Sequence, residues 1–255
     1  MSLLSAIIWT PIAAGFFILL NAVFGLKTAY FKYFAILVSL FTSGLSCYAL
    51  SIFDTSIWQM QFIEQARWLP DLGIEYALGI DGFSLLLVLL TVFMNLLVLI
   101  ACGSNVAEEK IAAYCAAFLI MQGLMCGVFL ATDAVLFYIF FEAMMIPMFL
   151  IIGLWGGSNR IYATMMFILY TFLGSLLLLV SILYMHHVLI KSGYNGTDAF
   201  SIMSFQELKL SLSEQKWLFW ALFIAFAIYK ITTWRMTCIF NKPTSKLISQ
   251  LSKLF

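Results

Sequence analysis

Seven stretches of about 20 mostly apolar residues follow one another along this chain, and they leave it few possible folds. Inside lipid a backbone must satisfy its own hydrogen bonds, so only helices and closed barrels span a bilayer. Runs of this length suit helices, since a barrel strand needs only about 10 residues. The stretches are Leu3–Gly25, Tyr33–Phe53, Gly82–Cys102, Ile111–Ala131, Ala134–Trp155, Tyr162–His186 and Gln215–Thr233. Of 255 residues, 64% are hydrophobic and 10% charged, with a mean hydropathy of +1.05. Soluble domains carry about 25% charged residues. The expectation is an all-α polytopic membrane bundle of about seven helices, with the lipid bilayer as its surroundings. The first stretch lacks the basic flank of a cleaved leader and reads as the first span.

The connections are uneven. Thr132 and Asp133 alone separate the fourth and fifth stretches, which predicts a tight antiparallel hairpin of helices. Gly156-Gly157-Ser158-Asn159 is a turn signal. Asp54–Asp81 and His187–Glu214 read as longer polar connections. Basic residues in short loops orient membrane proteins, because they stay on the cytoplasmic side. Lys27, Lys32, Lys110 and Arg160 fall on one side, and the basic segment holding Lys230, Arg235, Lys242, Lys246 and Lys253 joins them. This places the N-terminus outside.

Net charge is +1, which gives no reason to expect a nucleic-acid partner. The cysteines Cys47, Cys102, Cys115, Cys126 and Cys238 are scattered without a C-x-x-C pair, so neither zinc nor an iron–sulfur cluster is signalled. No glycine-rich nucleotide loop and no helix-paired histidines for haem are present.

Glu142 stands apart from the other acidic residues. It lies inside the run Ala134–Trp155, five residues before Pro147, away from either membrane surface. A charge at the bilayer centre costs about 2.5–3.5 kcal/mol on insertion scales, and intramembrane carboxyls mark proton relays, ion paths or buried pairs. Pro147 lacks an N–H and crowds the carbonyl of Ala143, loosening the helix one residue from Glu142. Lys230, late in the seventh stretch, is the candidate basic partner, although it could equally snorkel to the surface. His186 and His187 are read as an interfacial pair ending the sixth helix. Asp133 and Asp81 are read as helix N-caps, and Met144, Met145 and Met148 as packing material.

Three segments together resemble a known family. They are Trp68-Leu69-Pro70-Asp71-Leu72-Gly73-Ile74 running on to Leu78-Gly79-Ile80-Asp81-Gly82-Phe83-Ser84-Leu85-Leu86, then Phe137 through Met148 around Glu142 with Gly153-Leu154-Trp155-Gly156-Gly157, and Phe223-Ile224-Ala225-Phe226-Ala227-Ile228. They resemble M-class membrane chains of the proton-translocating NADH–quinone oxidoreductase, respiratory complex I. Those chains belong to the antiporter-like family shared with multisubunit cation/proton antiporters. The resemblance implies a multi-pass chain of the bacterial inner membrane, partnered by other membrane subunits of the complex. It implies a proton path using a glutamate on the fifth helix, matched by Glu142, and a lysine on a broken seventh helix. It implies no cofactor in this chain: NADH, flavin, iron–sulfur clusters and quinone belong to other subunits.

The resemblance breaks after Ile228. Tyr229 stands where the family has its lysine, and Lys230 comes one residue late, turned by about 100° around a helix. Residues 229–255 are divergent and basic, and the family's second, inverted half is absent from these residues. Residues 1–228 therefore read as the antiporter-like region and 229–255 as a tail from a truncated or frameshifted gene, with no pumping by this form alone. The competing readings are a subunit of a cation/proton antiporter or hydrogenase membrane arm, and a structural fragment that does not pump.

Overall fold

The computed structural model describes residues 2–23, 29–57, 59–70, 73–102, 111–156, 160–194, 198–208, 210–225 and 227. Among them, six helices are long and apolar enough to cross a membrane. They are α1 (Leu3–Val23), α2 (Ala29–Ile52), α3 (Gly82–Ala101), α4 (Ile111–Leu130), α5 (Ala134–Trp155) and α6 (Arg160–Lys191). A short α7 (Ile202–Gln206) follows, and residues 212–225 form a further helix, α8. The expected seventh span starts slightly earlier than Gln215, and most of its stretch after residue 225 lies outside the described residues.

The helix starts follow capping chemistry. The Ser84 N–H donates to Asp81 Oδ1 at 2.7 Å, and Asp81 has extended backbone angles, as an N-cap requires. The N–H groups of Val135 and Leu136 both donate to Asp133 Oδ1 at 2.9 Å. Ser211 begins α8 with a capping box, its own N–H donating to Glu214 Oε2 at 2.9 Å.

Two expectations need correction. The Asp54–Asp81 connection is not simply a polar loop, so the fold is not purely helical. Strands β1 (Gln61–Leu69) and β2 (Ile74–Ile80) form an antiparallel hairpin. The pairing shifts register between Gln61 and Glu64 and again between Arg67 and Leu69, and Phe62 takes a left-handed φ of 52°. Such bulges break the period-two alternation by which a strand is recognised. The second correction concerns α6, whose 32 residues continue to Lys191. His186 and His187 therefore lie within the helix. At 1.5 Å per residue α6 is about 48 Å long, more than a hydrocarbon core of about 30 Å requires.

The chain divides into two compact units, Met1–Pro147 with Gly193–Gln206, and Met148–Ser192 with Glu207–Phe255. In the first unit, α1 and α4 make the most extensive helix contact. Two glycines permit it. A Cβ on Gly15 would sit 2.6 Å from Ile120 Cγ1, and one on Gly123 would sit 2.5 Å from both Ile12 Cγ1 and the Ile8 carbonyl. Small residues at such crossings let backbones approach closely. The hairpin seals one end of this unit. Glu64 of β1 accepts from the N–H groups of Leu4 and Ser5 at 2.8 and 3.0 Å, capping α1 from another element. Tyr76 of β2 accepts from Trp9 Nε1 at 3.1 Å.

In the second unit, Ile152 of α5 packs with Ala163 and Phe167 of α6, and Met148 joins them. Tyr184 donates its hydroxyl to Glu214 Oε1 at 3.0 Å.

Candidate functional site

The link between α4 and α5 is held from two sides, and this fixes where α5 begins. The Thr132 N–H donates to the Ala77 carbonyl of β2, and the Ile202 N–H donates to the Thr132 carbonyl, both at 3.0 Å. Leu78 bridges Ala131, and Asp133 bridges Ser201. Asp133 is 3% exposed. Burial raises its carboxyl above the ordinary value. The N–H donors of Leu136, Val135 and Glu75 pull it down, and the Glu75 carboxylate pushes it up.

From that anchor α5 runs unbroken through Pro147. The missing N–H of Pro147 is accommodated within continuous helix. Glu142 lies about 12 Å along the axis from Ala134. Its side chain is half-buried, but Oε1 is fully buried and has no hydrogen-bond partner among the described residues. An unpaired polar atom in a low-dielectric setting is costly and calls for a proton, a water or a cation. Near Glu142, Phe140 fixes the rotation of α5. It is buried against Gly127 of α4, where an added Cβ would come within 2.7 Å of the ring.

The other predicted site residue, Lys230, lies outside the described residues. Met144 and Met145 are half-buried neighbours of Glu142, consistent with packing.

Sequence reasoning missed a second polar feature. Gln122 of α4 is 1% exposed and links three helices. Its Nε2 donates to Thr42 Oγ1 of α2 at 2.8 Å. Its Oε1 accepts from Ser39 Oγ at 3.4 Å and from Asn95 Nδ2 of α3. Thr42 in turn donates to the Ser39 carbonyl at 2.9 Å. The signal was present: Ser39, Thr42, Ser43 and Ser46 fall at i, i+3, i+4 and i+7, one face of a helix in an otherwise apolar run. Asn95 and Gln122 also border a groove of about 350 Å³ between α3 and α4, walled by Met94, Phe118 and Met125.

Fold and site together describe a multi-pass membrane protein with a carboxyl held inside a spanning helix. Residues 131–244, which include Glu142 and Lys230, match the family model for the transmembrane region of NADH:quinone oxidoreductases and Mrp antiporters. Over those residues the chain is similar to this antiporter-like family. It is 39% identical over 226 residues to NADH-quinone oxidoreductase subunit M of Rickettsia conorii, a match covering 86% of this chain and 44% of that protein. It is 41% identical over 177 residues to NADH-ubiquinone oxidoreductase chain 4 of Arabidopsis thaliana, covering 69% of this chain and 34% of that one. Among solved structures, respiratory complex I from Thermus thermophilus matches with a TM-score of 0.72 and 28% identity, over 89% of this chain and 43% of that one. The Mrp complex from Dietzia matches with a TM-score of 0.67 at 17% identity, a likeness of fold. The chain spans less than half the length of these relatives. The family match also continues to residue 244, past the point at Ile228 where the motif resemblance ends.

Proposed function

We propose that the chain serves as a proton-translocating membrane-arm subunit of an NADH–quinone oxidoreductase. In this reading it helps couple electron transfer from NADH to quinone with proton movement. Glu142 is the proton carrier. The observation that carries the reading is the buried, unbonded Glu142 Oε1 inside a spanning helix. A carboxyl with one unpaired buried oxygen can gain and lose a proton as a water or a cation approaches and leaves.

The redox groups belong to other subunits, and this chain moves protons. Lys230 is its proposed charge partner, shifted by one residue from the family's position. The N-terminus lies outside, as the basic short loops require. The bacterial relatives support the bacterial inner membrane as its location. Its partners are other membrane subunits of the complex. A complete proton path is expected only together with the remaining length that the relatives have, so these 255 residues alone are expected not to pump.

Infrared difference spectroscopy of the chain in lipid tests the carrier role. A protonated carboxyl band that shifts in heavy water and vanishes in Glu142→Gln is expected. A spectrum identical in the two forms removes Glu142 from the mechanism.

The competing reading is a subunit of a cation/proton antiporter, favoured by the breadth of the family model and the fold likeness to the Mrp complex. Purification from native membranes separates the two. Co-purifying subunits that oxidise NADH support the first reading, and sodium-dependent proton exchange without them supports the second.

A further inference from the structure

Two attachments at different heights hold α5, and together they decide which way Glu142 faces. The first is the link at residues 131–133, tied to Ala77 of β2 and to Ile202. The second is Phe140, about 10 Å further along the helix than Asp133. Its ring is 4% exposed and lies in the apolar cluster that includes Cys126 and Leu130 of α4 and Leu136 of α5. Facing the ring, α4 carries Gly127. A Cβ there would lie 2.7 Å from Phe140 Cγ, and 2.8 and 2.9 Å from Cδ1 and Cδ2. Carbons in contact sit about 3.5–4.0 Å apart, so a methyl group at this position lacks about 1 Å of room.

The ring has no easy way to yield. Cγ lies on the axis about which the ring turns, so a ring flip leaves it in place. Only a new χ1 or a movement of α5 clears the clash, and a new χ1 would have to fit among buried neighbours. Gly127 is thus a seat for the ring. One turn earlier on the same helix, Gly123 seats Ile12 of α1 in the same way.

Glu142 follows Phe140 by two residues, about 200° around the helix. Leu136, Phe140 and Pro147 are buried on the side of the seat, and the Glu142 carboxyl leaves α5 on the opposite side. Proton transfer needs partners about 2.6–3.2 Å apart. A helix displaced by about 1 Å at its contact moves the carboxyl by more than that window is wide.

We propose that Gly127 is a positioning residue for Glu142: as the seat of the Phe140 ring it sets the rotation of α5, and so the place of the carboxyl. The inference rests on the reading of Glu142 as the proton carrier. A larger residue at position 127 keeps the carboxyl in the chain but moves it away from the groups that exchange protons with it.

The test reads position and transport separately, in native membranes and in the protein at the full length its relatives have. Dicyclohexylcarbodiimide, a lipid-soluble reagent for carboxyls in apolar surroundings, is added, and its rate of attachment to each carboxyl is read from peptide masses. Gly127→Ala should change the rate at Glu142 several-fold while leaving Asp81, on α3, unchanged. Phe140→Ala removes the ring from its seat and should also change the rate at Glu142, so the test stands if the first variant fails to assemble. Leu99→Ala opens a cavity in the other apolar cluster of the unit. It should lower stability without altering the rate at Glu142. NADH-driven proton uptake should fall about tenfold or more in Gly127→Ala, because misplacement by 1 Å is costly in such steps. A rate at Glu142 unchanged in both variants, or changed equally by Leu99→Ala, would overturn the proposal. Uptake that is normal in Gly127→Ala but lost in Glu142→Gln would overturn it and leave the carrier reading standing. Normal uptake in Glu142→Gln would overturn both.

Discussion

Asp133 carries two opposed effects in one side chain. Its carboxyl caps α5 through two N–H groups, and its burial penalises the charge that makes it a strong acceptor. The penalty wins, so its titration lies above the ordinary value of 3.8. The folded state then holds a proton that the unfolded state has released. Stability should fall as pH rises from the ordinary value through the raised one. Asn caps as well as Asp and carries no charge. Thermal unfolding in detergent should show that Asp133→Asn flattens this acid-range slope with little loss at neutral pH. Asp133→Ala should lose about 1 kcal/mol or more at neutral pH, the usual cost of a missing cap. Both caps, Asp133 and Asp81, were legible in the sequence because a short acidic side chain before a long apolar run has one common use. Glu142 was legible for the opposite reason: no surface was near enough to explain it. That its Oε1 has no partner was not legible, since the absence depends on which side chains three-dimensional packing brings close.

Among the elements, α4 does the most joining. One face closes on α1 through Gly15 and Gly123, and another reaches α2 and α3 through Gln122. In lipid there is no hydrophobic drive between helices, so close packing and interhelical hydrogen bonds hold them. Gln122→Leu leaves Asn95, Thr42 and Ser39 without their shared partner. A loss of about 1–2 kcal/mol is expected, between the modest membrane hydrogen bond and the cost of stranded buried groups. Combining it with Asn95→Leu should cost less than the sum of the two, because the second change removes a group the first had stranded. Additive losses in a double-mutant cycle would mean the two amides act separately. The helices themselves were readable from length and hydropathy alone. Their neighbours were not, because apolar runs of similar composition do not specify which packs on which. The polar stripe on α2 was the one available clue to its partners.

For the whole molecule, the hairpin shows how a segment between spans becomes part of the bundle. Glu64 binds two of the free N–H groups at the start of α1, and Tyr76 holds Trp9. Glu64→Ala should loosen the hairpin from the helix end, seen as faster proteolysis after Arg67 and a stability loss of about 1–2 kcal/mol, as for a lost cap. Unchanged cleavage would mean the apolar contacts of β2 hold the hairpin by themselves. Its two bulges hid the strands from a reading based on alternation, although Pro70 and Gly73 flank the turn between them, the Gly73 N–H donating to the Pro70 carbonyl at 3.1 Å. The proposal that Glu142 carries protons is tested most directly by NADH-driven proton uptake in inverted native membrane vesicles, with Glu142→Gln introduced into the protein at the full length its relatives have. The account predicts at least a tenfold loss of uptake, with the complex assembled to its normal level. Uptake equal to that of the unaltered protein would contradict it.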